Sequence, residues 1–206
     1  MDESLTERLV TATRQELART LSALCAAVGA AESSILLPAN DSDLIFFASS
    51  NPALMRPDVP LVPINGSFSG IAFRTGQTIA VADAASHTQH YKAIDERVAS
   101  QTREFAAIPC AEHGVLGVLT LVNRASRDAD ASVPFSMAEL RQAETVATEM
   151  AHAIGLIPGL VVTGEGDTDR MPALDADFVA DLTSLNQAER RIAQALVSAL
   201  IENRGE

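Results

Sequence analysis

The chain has no tryptophan, one tyrosine (Tyr91), one lysine (Lys92) and two cysteines (Cys25 and Cys110) in 206 residues. Aromatic residues are 4% of the chain and apolar residues 47%, so any core is aliphatic and rich in small side chains, with 35 alanines to draw on. Two cysteines cannot build a disulfide framework or complete a zinc site by themselves. Bases are scarce, 15 against 27 acids, and the net charge is −12. Such a surface repels nucleic-acid phosphates and anionic lipid, which argues against both as partners. Long apolar runs are missing too. Ala153 to Val162 is the longest and is broken by Gly155, Pro158 and Gly159, whereas a membrane span needs ~18 or more residues. The acidic start Met1-Asp2-Glu3-Ser4 is unlike the cationic start of a secretory leader. A soluble, cytoplasmic chain is expected.

What is present is patterned. Leu5, Leu9, Leu17, Leu21, Leu24 and Val28, with Thr13 filling the gap, predict one amphipathic helix over 4–28 that Gly29 ends. Ser34–Leu37 and Leu44–Ala48 flank the turn Ala39-Asn40-Asp41-Ser42 and read as a hairpin. Four prolines from Pro52 to Pro63 leave room for an edge strand at most. Ser67 and Gly76 bracket a two-turn helix as its cap and its C′ residue. Strands follow at Gln77–Val81, Arg103–Cys110 and Val115–Val122, with a helix centred on Tyr91–Val98 between the first two. Val115–Val122 is nearly all apolar and should lie centrally in a sheet. Ser136 with Glu139 forms a capping box before a helix striped by Leu140, Ala143, Ala147, Met150 and Ile154. The order is α-ββ-β-α-β-α-ββ-α. Residues 1–155 then make one domain, 156–172 a Gly- and Pro-rich linker, and 173–206 a helical extension.

Several residues invite a chemical reading. A helix start at Ser67-Phe68-Ser69-Gly70 offers free N–H groups and hydroxyls that can hold a carboxylate or phosphate. His87 and His90, three apart with Asp83 nearby, are too few to define a metal or haem site. Cys25 and Cys110 read as buried, inert thiols. No set of residues supplies a nucleophile with its base and orienter, so no catalytic residue is assigned and a non-enzyme is expected.

The strand pair, the capped short helix, "GQTIAVADA", "FAAIPCAEHGVLGVLTLVNR" and "PFSMAEL" before a long helix together resemble the GAF domain, over about residues 8–155. The resemblance implies an α+β fold with a six-stranded antiparallel sheet, akin to profilin and PAS domains. Its N- and C-terminal helices cover one face, and a ligand pocket lies under short helices and loops on the other. The likeness is greatest to the cyclic-nucleotide-binding members of phosphodiesterases. It implies ligand contacts at Phe68, Ser69, Tyr91, Asp95 and Thr102, to which the helix start adds Gly70.

The family's Asn-Lys…Phe-x3-Asp-Glu signature stands here as Asn123-Arg124…Phe135-x3-Glu139-Leu140. An Arg124–Glu139 pair would still clamp loop to helix, worth about 0 to 1 kcal/mol if exposed. Val98 stands where nucleotide binders use a polar residue. A cyclic nucleotide or a small carboxylate are the candidate ligands; neither a haem nor a bilin context is recognisable.

The leading expectation is therefore a small-molecule sensor in signal transduction. It would act as a homodimer through its terminal helices, with a signalling protein as a further partner. The alternative is an interaction module whose pocket is filled by Phe68, Phe73 and Phe105. A third reading is a cysteine redox enzyme of the free methionine sulfoxide reductase kind.

Overall fold

The computed structural model describes residues 3–111, 114–125 and 133–155, with the side chains of the first helix given from Thr11 onward. The expected linker at 156–172, the expected helices within 173–206, and His113 lie outside the described residues. Helix α1 spans Glu3–Val28 and leads into the hairpin β1 Ala30–Pro38 and β2 Asp43–Ser49. A short 3-10 turn, Pro52–Met55, precedes β3 at Val62–Pro63. Helix α2 (Phe68–Thr75), β4 (Ile79–Val81) and α3 (Lys92–Val98) follow, then β5 (Phe105–Ala111), β6 (Val115–Arg124) and α4 (Met137–Gly155).

The strands form one six-stranded antiparallel sheet in the order β3-β2-β1-β6-β5-β4. Thus β6 is central, as its apolar run implies. Two strands run further than their local pattern indicates. Strand β1 begins at Ala30, before the apolar stretch, and β6 continues through Asn123 and Arg124, because Ala30↔Arg124 and Glu32↔Val122 pair across the two strands. Cross-strand bonding extends a strand into polar residues that alternation alone leaves as loop.

Period two divides the sheet into faces. Ile35, Leu37, Ile108, Cys110, Leu119 and Leu121 point to α1 and α4, whose Leu17, Leu21, Leu24, Val28, Ala143, Ala147, Met150 and Ile154 complete the main core. On the other face Leu36, Leu44, Ala107 and Val118 meet Ala72 of α2 in a smaller cluster. Helices α1, α2 and α4 obey their end signals. Gly29 follows α1 at φ +65°, and Gly76 closes α2 at φ +64°. The Ser136 amide donates to Glu139 Oε2 at 2.6 Å while the Glu139 amide reaches Ser136 Oγ at 3.4 Å, the reciprocal capping box. Leu140, where the family signature has an acid, is instead buried in the main core. Among the described residues no helix is long and apolar enough to cross a membrane.

Candidate functional site

The second face of the sheet is not fully sealed by α2 and α3. Beneath them lies a cavity of about 70 Å³. Its floor is Ser34 and Leu36 of β1, Thr120 and Val122 of β6 and Phe105 of β5; its roof is the start of α2 and the segment from Gln89 to Thr102. Five of the six residues singled out in the sequence (Phe68, Ser69, Tyr91, Asp95 and Thr102) stand on its wall.

Gly70 does not, and the expectation that its N–H holds a ligand is corrected. That N–H is taken by Ser67 Oγ at 2.9 Å, and Ser67 Oγ in turn donates to Pro63 O at 2.6 Å. A Cβ built on Gly70 would come within 2.6 Å of Ile64 Cα, so the glycine lets α2 lie directly on the backbone beside β3. Its role is close approach behind the wall. Ser69, by contrast, is 5% exposed and lines the cavity, and its hydroxyl has no hydrogen-bond partner among the described residues.

Asp95 and Thr102 are joined to each other. Thr102 Oγ1 donates to Asp95 Oδ1 at 2.6 Å, the Thr102 amide donates to Asp95 Oδ2 at 2.7 Å, and His90 Nε2 lies 3.1 Å from Oδ2. The carboxylate is therefore a latch that closes α3 onto the approach to β5. His90 is held by this latch, whereas the ring of His87 sits edge-on to Phe68 at 5.6 Å, so the two histidines serve different neighbours. Among the described residues no group of three His, Cys, Asp or Glu is arranged to hold a metal. Arg97 of α3 pairs with Asp58 in the β2–β3 connection, a second tie on the roof. Phe68 stacks on Phe105 with ring centroids 5.6 Å apart, and both form wall; Phe73 packs into the smaller core cluster, away from the cavity.

Glu32, Ser34 and Thr120 also line the cavity, and sequence reasoning passed over them. The usable signal was alternation. Glu32, Ser34 and Leu36 fall on one face at i, i+2, i+4, and Thr120 is the polar residue inside the apolar run of β6. Glu32 Oε2 accepts from Asn51 Nδ2 at 2.9 Å, and Ser34 Oγ bonds Ser49 Oγ at 2.8 Å.

Both thiols belong to the main core on the opposite face. Burial pushes Cys110 up to about 12 and also raises Cys25, so neither is a ready thiolate near neutral pH. At pH 8, iodoacetamide is expected to leave Cys110 unmodified in the folded protein and to alkylate it only in denaturant. Peptide mass spectrometry reads the result; rapid native labelling would mean that this side of the core opens.

The GAF domain family model matches residues 12–154. That is more than two thirds of the chain, which thus belongs to the GAF domain family. No curated protein matches it. Among solved structures, the GAF domain/HD domain protein from Geobacter sulfurreducens is similar at TM-score 0.57 and 16% identity, over 72% of this chain and 95% of that one. The GAF domain of a phosphoenolpyruvate-protein phosphotransferase from Coxiella burnetii is similar at 0.55 and 17%, over 71% and 92%. A type II free methionine-R-sulfoxide reductase from Thermoplasma acidophilum is similar at 0.55 and 13%, over 70% and 93%. Identities this low carry the fold alone.

Proposed function

We propose that the protein is a small-molecule sensor in signal transduction whose ligand enters the cavity under Tyr91 and whose occupancy is read by α1 and α4. The observation that carries this reading is the wall itself, a partly open cavity with Ser69 unpartnered on it and a roof held by the Asp95–Thr102 latch. A bonded path from roof to helices supports the read-out. Asn123, at φ +56°, donates from Nδ2 to Gln101 O at 2.9 Å and accepts from the Arg103 amide at 2.8 Å, thereby gripping both sides of Thr102. Its neighbour Arg124 holds Val28 O of α1 and Glu139 of α4. A ligand that moves the latch thus acts on groups already tied to both helices, the differential contact that any population shift requires. In a homodimer α1 and α4 would meet their partner copies as a bundle.

The size of the cavity favours one competing reading, an interaction module that takes no ligand, since small-molecule pockets commonly enclose ~300 Å³ or more. Likeness to the Thermoplasma enzyme brings a redox reading to this chain, but the two thiols stand on the sheet face away from the cavity. A melting screen of small molecules decides between sensor and module. A ligand at a hundred times its Kd stabilises by about 2.7 kcal/mol, which raises Tm by roughly 5–10 °C in a domain of this size. Tyr91→Ala is expected to abolish that rise. No rise with any compound, together with an unchanged Tyr91→Ala protein, would sink the sensor reading.

A further inference from the structure

We infer that the cavity selects a small uncharged ligand, apolar in body and carrying one hydrogen-bond acceptor that binds Ser69 and the start of α2, and that it rejects nucleotides and carboxylates. This deepens the sensor reading and rests on it. The charge on the wall is the first reason. Among the described residues that line it there is no arginine or lysine, while Glu32 and Asp95 are present. Of the described lining groups, His90 alone could carry a positive charge, and it is already engaged by Asp95. A buried anion without a counter-charge is strongly disfavoured, and two carboxylates nearby disfavour it further. A cation finds both carboxylates already engaged, Glu32 by Asn51 and Asp95 by Thr102 and His90.

Space is the second reason. About 70 Å³ is well short of the ~300 Å³ at the low end of ordinary ligand sites, and a nucleotide does not fit under the closed latch. The walls are the third: Leu36, Phe46, Val62, Phe68, Ile94 and Phe105 surround the space and favour a hydrocarbon body. Among the described residues that line the cavity, one deeply buried polar group is unspent. Ser34 is bonded to Ser49, Thr102 to Asp95, Ser67 to Gly70 and Pro63, and Thr120 donates to Ser34 O at 3.5 Å, which leaves the Ser69 hydroxyl. It sits at the second position of the eight-residue helix α2, beside the partial positive charge of that helix end, and so meets a carbonyl or ether oxygen best as a donor.

Because Tyr91 is the only tyrosine and there is no tryptophan, tyrosine emission of the full chain reports on this wall directly. Isobutyramide, isobutyrate and isobutylamine at pH 7.5 share one branched skeleton and differ in charge; cyclic GMP adds the nucleotide arm. Isobutyramide is expected to change Tyr91 emission with an affinity at least tenfold above the two charged compounds and cyclic GMP. Ser69→Ala should weaken the amide at least tenfold while circular dichroism and melting stay as in the parent.

Equal or tighter binding of isobutyrate, isobutylamine or cyclic GMP would overturn the uncharged class and leave the cavity standing as a ligand site. An unaltered amide affinity in Ser69→Ala overturns the anchor. Silence of Tyr91 toward all four compounds defeats this inference, and the sensor reading beneath it falls with it only where the melting screen is blank as well.

Discussion

Gly70→Ala is expected to lower Tm by ~10 °C, equivalent to about 3 kcal/mol in a domain of this size. The cause is contact with backbone. The added methyl would overlap the Ile64 carbonyl, 2.5 Å from its carbon and 2.6 Å from Ile64 Cα, and no rotamer change relieves it. Ile64 cannot retreat freely, because its amide is bonded to Ser42 O at 2.7 Å and its side chain is buried. Helix α2 must therefore lift from β3, which stretches the Ser67 cap and displaces Ser69 from the cavity wall. Gly114→Ala is the control, since nothing lies within 4 Å of a Cβ there and it should melt as the parent does. Similar melting of the two variants would mean that α2 is seated more loosely than the structure has it.

The close approach at Gly70 also marks where the sequence stops being legible. Element order followed from local signals that the backbone obeys locally: the Ser67 and Ser136 caps, the glycines after α1 and α2, and the apolar run of β6. Five cavity residues could be named because the family resemblance fixes where along the chain the roof falls. What those residues do there depends on partners distant in sequence. Asp95 and Thr102, seven apart, give no hint that they bond each other, nor Arg103 and Asn123 that one holds the other. A helix start offers free amides, so the sequence presents Gly70 as an anion-binding group; the nearness of Ile64 is a tertiary fact. Cavity volume is likewise set by how Phe68 and Phe105 stack, which no periodicity records.

The Arg124–Glu139 pair is where structure raises a modest expectation most, and its loss is the second large effect. All five N–H donors of the guanidinium are used. Nη1 donates to Glu139 Oε1 at 2.8 Å and Val28 O at 3.0 Å, Nη2 to Glu139 Oε2 at 2.8 Å and Pro134 O at 3.0 Å, and Nε to Val133 O at 3.3 Å. The guanidinium also lies 4.5 Å over the Phe135 ring. One side chain thus fastens the end of β6 to the last carbonyl of α1, the loop at 133–135 and the first turn of α4. At 18% and 27% side-chain exposure the pair is no longer the open surface ion pair worth about 0 to 1 kcal/mol. Arg124→Ala is expected to cost about 2 to 3 kcal/mol, because it strips three carbonyls and a carboxylate of their donor at once. Arg124→Lys should recover less than half of that, since an ammonium cannot reproduce the planar fork.

The pair also sets a pH dependence with a definite sign. The Arg124 hydrogen bonds, followed by those from Ser136, hold Glu139 down to about 2 from an ordinary value of 4.5. A carboxyl depressed in the folded state stabilises when both states are ionised, above its unfolded value, and that contribution disappears as pH falls through the folded value. The stability difference between the parent and Glu139→Gln should therefore be constant above about pH 5, near 1 to 2 kcal/mol after allowance for partial exposure, and shrink between about pH 4.5 and 2. Urea unfolding of both proteins across that range measures it. Because every other acid is common to the two chains, a difference that persists unchanged at low pH would mean that the pair is broken in solution.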